Sequence, residues 1–516
     1  LKTTKLIFTI FIITIINKLF TMVSTIKTFT FIGIKAIPVD VEVKIAAGHP
    51  TFNIVGLPDK ALAESRERVR AAINSIGLEI PSSRITVNLA PADLEKEGSH
   101  FDLAITLGML AEMRIIDKIE LENYYCLGEL SLNGKIKAVN GILSAAITAN
   151  QFEQNLICPE KSGSEAVYAS EDMEILAPDN LLQLINHFKG SQILSRPESN
   201  FNHKIPSYPC MSEVKGQKKA KRALEIAAAG GHNMLMIGPP GSGKSMIASR
   251  LNGILPELTL EEMLEVNMIN SISGNIKDGQ LISKRPFRSP HHSCSMPAMV
   301  GGGMKTKPGE ISLAHNGILF LDELGEFPRQ VLDSLRQPIE DNIVTISRAN
   351  SHITYPANFQ LIAAMNPCRC GYLGNDRKSC NRAPKCGKDY QAKISGPILD
   401  RMDIIIQVPQ INIFTQNNES KEEASSNILK RIKSARNIQY QRSKKLNSNN
   451  SSAEIEKTFD FSGENRDLIE KAMHKMDISM RGFTRILKVA RTIADLANNP
   501  KIEKTHLSEA IGYRKY

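Results

Sequence analysis

Apolar and polar residues alternate over positions 37–45, where Val39, Val41 and Val43 are set against Asp40, Glu42 and Lys44. This period of two predicts a half-buried strand. The period lengthens over 58–75: Leu62, Val69, Ala72 and Ile73 fall on one helical face, with Pro58 near its start and Gly77 past its end. A strand over 85–89 and a helix over 101–113 keep the element types alternating. Three later runs, 235–237, 317–321 and 359–365, are almost wholly apolar and read as strands. A helix over 214–229, closed by Gly230-Gly231, precedes the first of them. Residues 344–354 read as two short strands around a polar tip, 417–445 as a charged helix, and the Asn/Ser run 447–452 as a flexible joint. Over 483–497, Ile486, Val489, Ala490 and Ile493 share one side of an amphipathic helix.

This order of elements is α/β. At 516 residues the chain exceeds a single core and suggests roughly three domains of ~150 residues. The expected division is an N-terminal α/β domain over 22–190, a polar Pro-containing linker over 191–210, an αβα domain with a parallel sheet over 211–412 and a helical domain over 413–516. Apolar residues at 42% and charged residues at 23% match an ordinary globular protein, so neither a disordered chain nor a membrane bundle is expected. Residues 1–21 stand apart. The apolar stretch 6–16 behind Lys2 and Lys5 is shorter than a membrane helix needs, no small-residue cleavage site follows, and Met22 opens a different composition. The stretch reads as an extension foreign to the protein, with a membrane or export signal as the alternative. The formal charge of +10 suits an anionic partner such as nucleic acid, and equally a solvated basic surface. Arg66, Arg68 and Arg70 read as such a solvated face rather than a nucleic-acid patch.

The first apolar run leads into Gly238-Pro239-Pro240-Gly241-Ser242-Gly243-Lys244-Ser245, and a helical stretch follows at once. Strand, G-x-x-x-x-G-K-S loop and helix make a phosphate loop. Its backbone N–H groups turn onto a triphosphate, Lys244 reaches the β- and γ-phosphates, Ser245 holds Mg²⁺, and the helix N-terminus adds its dipole. The second run ends in Asp322-Glu323, where Asp322 would bind Mg²⁺ and Glu323 orient the attacking water. Two carboxylates ending a buried strand are costly unless they face a cation. The third run delivers Asn366, a polar side chain placed to sense the γ-phosphate.

In this order the residues resemble the AAA+ ATPases. The resemblance implies that Asn366 is sensor 1, that Arg401 is an arginine finger reaching a neighbouring subunit's nucleotide, that Arg481 is sensor 2, and that the C-terminal helices form a lid over the nucleotide. A finger acting in trans implies a homo-oligomeric ring, of six by the family's habit; an intramolecular pair of Arg401 with Asp400 or Asp403 is the alternative. The stretch from Arg285 to Ser293, which includes Arg288, His291 and His292, the Gly-rich stretch 301–310, residues 33–59 and the run 481–495 resemble the ComM/YifB branch of the magnesium-chelatase-like AAA+ proteins. That likeness extends from Met22 to the C-terminus. His291 and His292 have no third metal ligand nearby and read as structural or phosphate-adjacent. Lys305 and Lys307 lie in a Gly-rich loop suited to a ring pore. Related AAA+ helicases carry a pore hairpin at the position of 344–354, which makes Arg348 a candidate phosphate contact, with a solvated tip as the alternative.

Two N-terminal segments, 96–102 and 128–136, with Gly141 and Pro159-Glu160-Lys161 downstream, resemble the proteolytic domain of the Lon family, a ribosomal S5-like α/β fold. The family's catalytic serine position falls on His100, with Ser99 one place early, and its lysine position falls near Leu143. A serine–lysine dyad needs both groups within hydrogen-bond reach, so the resemblance implies a Lon-like fold without peptidase activity.

Cys368, Cys370, Cys380 and Cys386 give C-x-C-x₉-C-x₅-C within one insertion, 368–386. Zinc is the candidate ligand, with free thiols or a redox disulfide as alternatives, because the spacing is not the standard C-x₂-C pair. The other four cysteines are scattered, as in a reducing compartment, so a cytoplasmic location is expected. The expected activity is ATP hydrolysis with ATP and Mg²⁺, coupled to ring motion on DNA: a helicase promoting branch migration in recombination or transformation. One alternative is a magnesium-chelatase-type ATPase subunit driving metal insertion into a tetrapyrrole, against which stands the Lon-like domain that the resemblance does not give those subunits. A protein-remodelling ATPase is another. No membrane partner is expected for the domains after residue 21.

Overall fold

The computed structural model describes residues 23–199, 207–276, 279–303, 306–347, 352–373, 382–410, 422–460, 463–476 and 478–514. The chain forms two compact units. One takes in Leu1–His203 together with Asn267–Ile282, and the other Lys204–Val266 with Ser283–Tyr516. Residues 267–282 were expected within the phosphate-loop domain, but their polar side chains bond into the N-terminal unit. Ser271 Oγ accepts from the Gly141 N–H at 3.1 Å, and Asn140 Nδ2 donates to the Ile272 carbonyl at 3.4 Å.

The first unit is built on β1 (Ser24–Ile32), β2 (Lys35–Ala46), β3 (Thr51–Val55), β4 (Arg84–Ala90), β5 (Tyr124–Cys126), the small hairpin of β6 (Glu129–Leu130) and β7 (Ile136–Lys137), β8 (Asn155–Ile157) and β9 (Ile175–Leu176). Seven of these make one sheet in the order β3-β4-β2-β1-β5-β8-β9. The alternation over 37–45 becomes β2, and Val39, Val41 and Val43 are buried as the pattern requires. They meet Leu103, Leu107 and Leu110 of the helix Asp102–Glu112 in one core. The helix over 58–75 forms as Asp59–Ser75, with Asp59 in its first turn complementing the dipole. Its face corrects the reading of Arg68. That guanidinium turns inward and its Nε bonds Asp102 Oδ2 at 2.6 Å, while Ser65 Oγ donates to Oδ1 at 2.6 Å. A buried carboxylate needs such partners; Arg70 alone of the three arginines is exposed. The expected linker begins packed: Arg196 Nη1 donates to the Met173 carbonyl at 2.7 Å.

The second unit adds β10 (Met234–Ile237), β11 (Phe287–Arg288), the hairpin β12 (Gly301–Gly302) and β13 (Lys307–Pro308), β14 (Ile318–Leu321), the hairpin β15 (Ile343–Ser347) and β16 (His352–Pro356), β17 (Gln360–Met365) and β18 (Ile404–Gln407). Five form a sheet, β11-β14-β17-β10-β18, in which every pair is parallel. Both faces are covered, which is why its central strands are apolar throughout. Met234, Phe320 and Ile362 face one core with the helices Lys218–Gly230 and Met480–Leu496; Leu235, Leu319 and Leu361 face another with Leu332 and Ile398.

The C-terminal part is helical, as expected. The charged stretch forms Ser425–Ser443, and Ile486, Val489, Ala490 and Ile493 are the buried side of Met480–Leu496. The run 447–452 is not a joint. Asn447 is fully buried, its N–H bonds Gln439 Oε1 at 2.9 Å, and its amide donates to Thr492 Oγ1 at 3.0 Å and Asp495 Oδ2 at 2.8 Å. The polar composition serves internal hydrogen bonds rather than solvent. Among the described residues no helix is long and apolar enough to cross a membrane; the apolar segment within 1–21 lies outside them.

Candidate nucleotide-binding site

Because β10, β14 and β17 are parallel and in register, Ile237 beside Met365 and Leu321 beside Ala363, their carboxyl ends deliver Gly238, Asp322 and Asn366 to one edge. Gly238 must lack a side chain, since a Cβ there would stand 2.1 Å from the Val408 carbonyl oxygen. Gly243, at φ +86°, takes the left-handed turn that starts the helix Lys244–Ser249. The result is a depression of about 400 Å³ lined by Pro240 through Met246, Asp322, Glu323, Met365 and Asn366.

Within it, Lys244 Nζ donates to the carbonyls of Gly238 at 2.8 Å and Pro239 at 3.0 Å and to Asn366 Oδ1 at 3.2 Å. Burial lowers its pKa, and the charges of Asp322 and Glu323 oppose that effect. An incoming phosphate would exchange neutral carbonyl partners for charged oxygens, a stronger hydrogen bond for the same ammonium. Ser245 Oγ donates to Asp322 Oδ2 at 2.5 Å. One hydroxyl and one carboxylate are the hard oxygen donors that suit Mg²⁺. Glu323 follows with φ +52°, a left-handed conformation uncommon outside glycine, its N–H bonded to Asp322 Oδ1 at 2.9 Å. Its carboxylate meets His292 Nδ1 at 3.4 Å, and the His291 ring lies against His292, tilted by 36°, with centroids 4.0 Å apart. The sequence singled out both histidines without indicating that they face the second carboxylate.

Two other expected site residues occupy the opposite edge of the sheet. Arg401 is 8% exposed; its Nη2 pairs with Glu340 Oε1 at 2.5 Å and its Nη1 donates to the Pro397 carbonyl at 2.7 Å. The pairing is intramolecular, yet with neither Asp400 nor Asp403. Arg481 is exposed at the start of the helix Met480–Leu496, one turn before Arg485, which pairs with Asp403 directly ahead of β18. Four residues of β18 span about 13 Å at ~3.3 Å each, so Arg481 and the phosphate loop stand at opposite ends of the strands. The C-terminal helices pack on Lys218–Gly230, and none of their described residues lines the 400 Å³ depression. Gln217 does come close, donating to the Ser242 carbonyl at 3.2 Å.

Lys307 is exposed in β13; Lys305 and Arg348 lie outside the described residues. Cys368 and Cys370 bring their sulfurs to 3.1 Å, but Cys380 lies outside the described residues. Among the described residues no group of three or more His, Cys, Asp or Glu could hold a metal, so the zinc expectation finds no support. In the N-terminal unit Ser99 Oγ donates to a Glu129 carboxylate oxygen, His100 is buried against the Phe29 carbonyl at 2.9 Å, and Leu143 is fully buried. Lys96 donates to the Leu94 carbonyl at 3.1 Å.

Three family models match the chain: magnesium chelatase, subunit ChlI, over residues 210–416; subunit ChlI of Mg-chelatase over 41–162; and the ChlI C-terminal model over 422–514. The competence protein ComM of Haemophilus influenzae is 43% identical over 489 residues, 93% of this chain and 95% of its own length. The chain belongs to the ComM/YifB family of magnesium-chelatase-like proteins. A second ComM/YifB relative, the YifB protein of Salmonella typhimurium, is 43% identical over 491 residues, 95% of this chain and 96% of its own. The magnesium-chelatase subunit ChlI of Olisthodiscus luteus is 24% identical over 177 residues, 31% of this chain and 51% of its own. With this ComM/YifB membership and the parallel sheet carrying the phosphate loop, the protein is an AAA+ ATPase.

Proposed function

We propose that this ATPase is a ring motor on DNA, a helicase promoting branch migration in recombination or transformation, working in the cytoplasm with ATP and Mg²⁺. The observation that carries the reading is the packing of two hairpins. Tyr355 of β16 donates its hydroxyl to the Thr306 carbonyl at 2.6 Å, and Gly301 lies against the Ile346 side chain. Lys307 is exposed at the start of β13, and Lys305 and Arg348 fall in the sequence between the strands of the two hairpins, three cations suited to a phosphate backbone. A hexameric ring is supported by the split of the expected catalytic set. Lys244, Ser245, Asp322, Glu323 and Asn366 stand at the carboxyl edge and Arg401 and Arg481 at the amino edge, so a complete site needs a second copy of the chain. The test is steady-state ATPase alone and with single-stranded, duplex, forked and four-way-junction DNA, with Lys244→Ala as blank. Stimulation by forked or junction DNA is expected; a rate that no DNA changes would overturn the reading.

The second reading, a chelatase-type ATPase subunit, is favoured by the ChlI model that matches 41–162. The N-terminal domain therefore does not by itself argue against it. Stimulation by a metal-free porphyrin with its partner subunits in place of DNA would select this reading.

A further inference from the structure

The amino edge of the second unit's sheet holds a cavity that the phosphate-loop chemistry does not use. It encloses about 520 Å³ between the strand starts at Asn233, Gly317 and Gln360 and the helices Ser425–Ser443 and Met480–Leu496. Its charge is lopsided. Three carboxylates line it and each is already held by a cation: Glu262 by Arg285 at 2.7 Å, Glu340 by Arg401 at 2.5 Å, and Asp403 by Arg485.

Three lining cations have no carboxylate partner among the described residues. Arg436 is 8% exposed, and its Nε and Nη2 both donate to a single neutral acceptor, the Ala228 carbonyl, at 3.1 and 2.6 Å. Burial, and after it the neighbouring Arg285, pulls its pKa down to about 10. Lys488 Nζ donates to the Ser448 carbonyl at 2.8 Å, and Lys444 stands exposed at the left-handed end of Ser425–Ser443. A guanidinium nine-tenths buried with only the charge of Glu262, itself paired to Arg285, acting on it from a distance is costly, and an anion entering the cavity lowers that cost. The remaining wall is partly apolar, with Leu255, Phe359 and Tyr440, whose side chain is half open, so it offers a surface for a ring as well as for charge.

We propose that this cavity binds the phosphate chain of a nucleoside polyphosphate, with Arg436, Lys444 and Lys488 as the anion-binding groups and Tyr440 beside the base. The site is separate from the protomer's own phosphate loop, and only its second source rests on the ring reading. One ligand chemistry has two sources, a nucleotide free in solution or one carried on the phosphate loop of a second copy. The experiment titrates inorganic tripolyphosphate calorimetrically into the full chain carrying Lys244→Ala, diluted until light scattering finds single protomers. The expected result is one tripolyphosphate per chain, weakened at least tenfold by Arg436→Gln and by Lys444→Gln with Lys488→Gln. The lysine pair carries the test if the arginine variant fails to fold. Repeating the titration on assembled chains preloaded with ADP separates the sources: binding that persists means a free ligand, and binding that disappears only on loading and assembly means the neighbour's nucleotide fills the cavity. The proposal is overturned if the Lys244→Ala chain binds no tripolyphosphate in either state, or if neither set of variants weakens the binding.

Discussion

His292 Nδ1 lies 3.4 Å from Glu323 Oε2, so the carboxylate expected to orient water is already engaged before any nucleotide arrives. Releasing this contact would free the Glu323 carboxylate to orient a water. A partly exposed contact of this kind is worth about 0–1 kcal/mol even where the imidazole carries a proton. His292→Ala is therefore expected to raise basal kcat by up to about fivefold with KM for ATP unchanged. A fall in kcat to the level of Glu323→Gln would make His292 part of the hydrolytic machinery instead.

Lys244 is the ammonium around which the loop is organised, holding two loop carbonyls and Asn366. Lys244→Ala is expected to lower kcat by roughly 10²–10³, the cost of losing one preorganised donor to developing charge. Asn366→Ala should fall in the same direction with nucleotide affinity retained, as measured by ADP titration. Loss of ADP binding in Asn366→Ala would move its role from sensing to folding the loop.

The ring proposal makes a prediction about mixtures. Lys244→Ala and Arg401→Ala chains are each expected to be inactive alone, the second because an arginine finger supplies roughly 10³–10⁵ in rate. Mixed, they should regain a measurable ATPase rate, since an intact phosphate loop can then meet an intact arginine. No recovery at any ratio would show that Arg401 serves its own protomer through the Glu340 pair.

Asp403 is a hub of the second unit, 2% exposed and in contact with Arg485, His232 at 3.4 Å and the Asn233 N–H at 3.1 Å. Burial pushes its carboxyl up, but Arg485 and His232 together outweigh that and hold it well below the usual carboxylate range. A depressed folded-state pKa stabilises above the unfolded value near 4, and that stability fades only as pH falls through the folded value. Acidification to pH 4 should thus leave this contribution nearly whole. Asp403→Ala should cost about 3 kcal/mol in urea unfolding at neutral pH, because it leaves Arg485 without its carboxylate and the Asn233 N–H without its acceptor. A cost below about 1 kcal/mol would mean the network re-pairs.

His100 gives the same sign in the N-terminal unit, in a window at higher pH. Burial lowers it to about 4, with the Phe29 carbonyl opposing. The unfolded chain takes up the proton near pH 6.5, so stability is full above that value and falls by about 3 kcal/mol as pH drops toward 4. Hydrogen exchange in the helix Asp102–Glu112 should report this loss, and His100→Gln should flatten the pH slope. An unchanged slope would assign the acid sensitivity to carboxylates.

What could be read ahead of the structure was local. The phosphate loop, Asp322-Glu323 and Asn366 each sit at the end of an apolar strand, and strand plus terminal residue is a contiguous signal. The helix periodicities held for the same reason. Contacts between distant segments left no such trace. Nothing near Arg68 marks Asp102 as its partner, and nothing in the polar run at 447–452 announces that Asn447 is buried against Thr492 and Asp495. His292 and Glu323 are 31 positions apart in sequence and meet only through the order of strands in the sheet. The edge on which Arg481 stands was equally hidden, because an amphipathic helix specifies its buried face and not its place along the strands.

The division of the chain at 267–282 bears on how this protein can be taken apart. Cleavage near residue 203 would free a fragment that still carries Ser271, buried when the chain is whole, without the Gly141 N–H and the Glu165 carboxylate that it bonds. An N-terminal fragment ending there would in turn lack the hydroxyl that bonds Gly141. Neither piece is a self-sufficient module, so inheritance or engineering must move the two units together, or carry 267–282 across with the first.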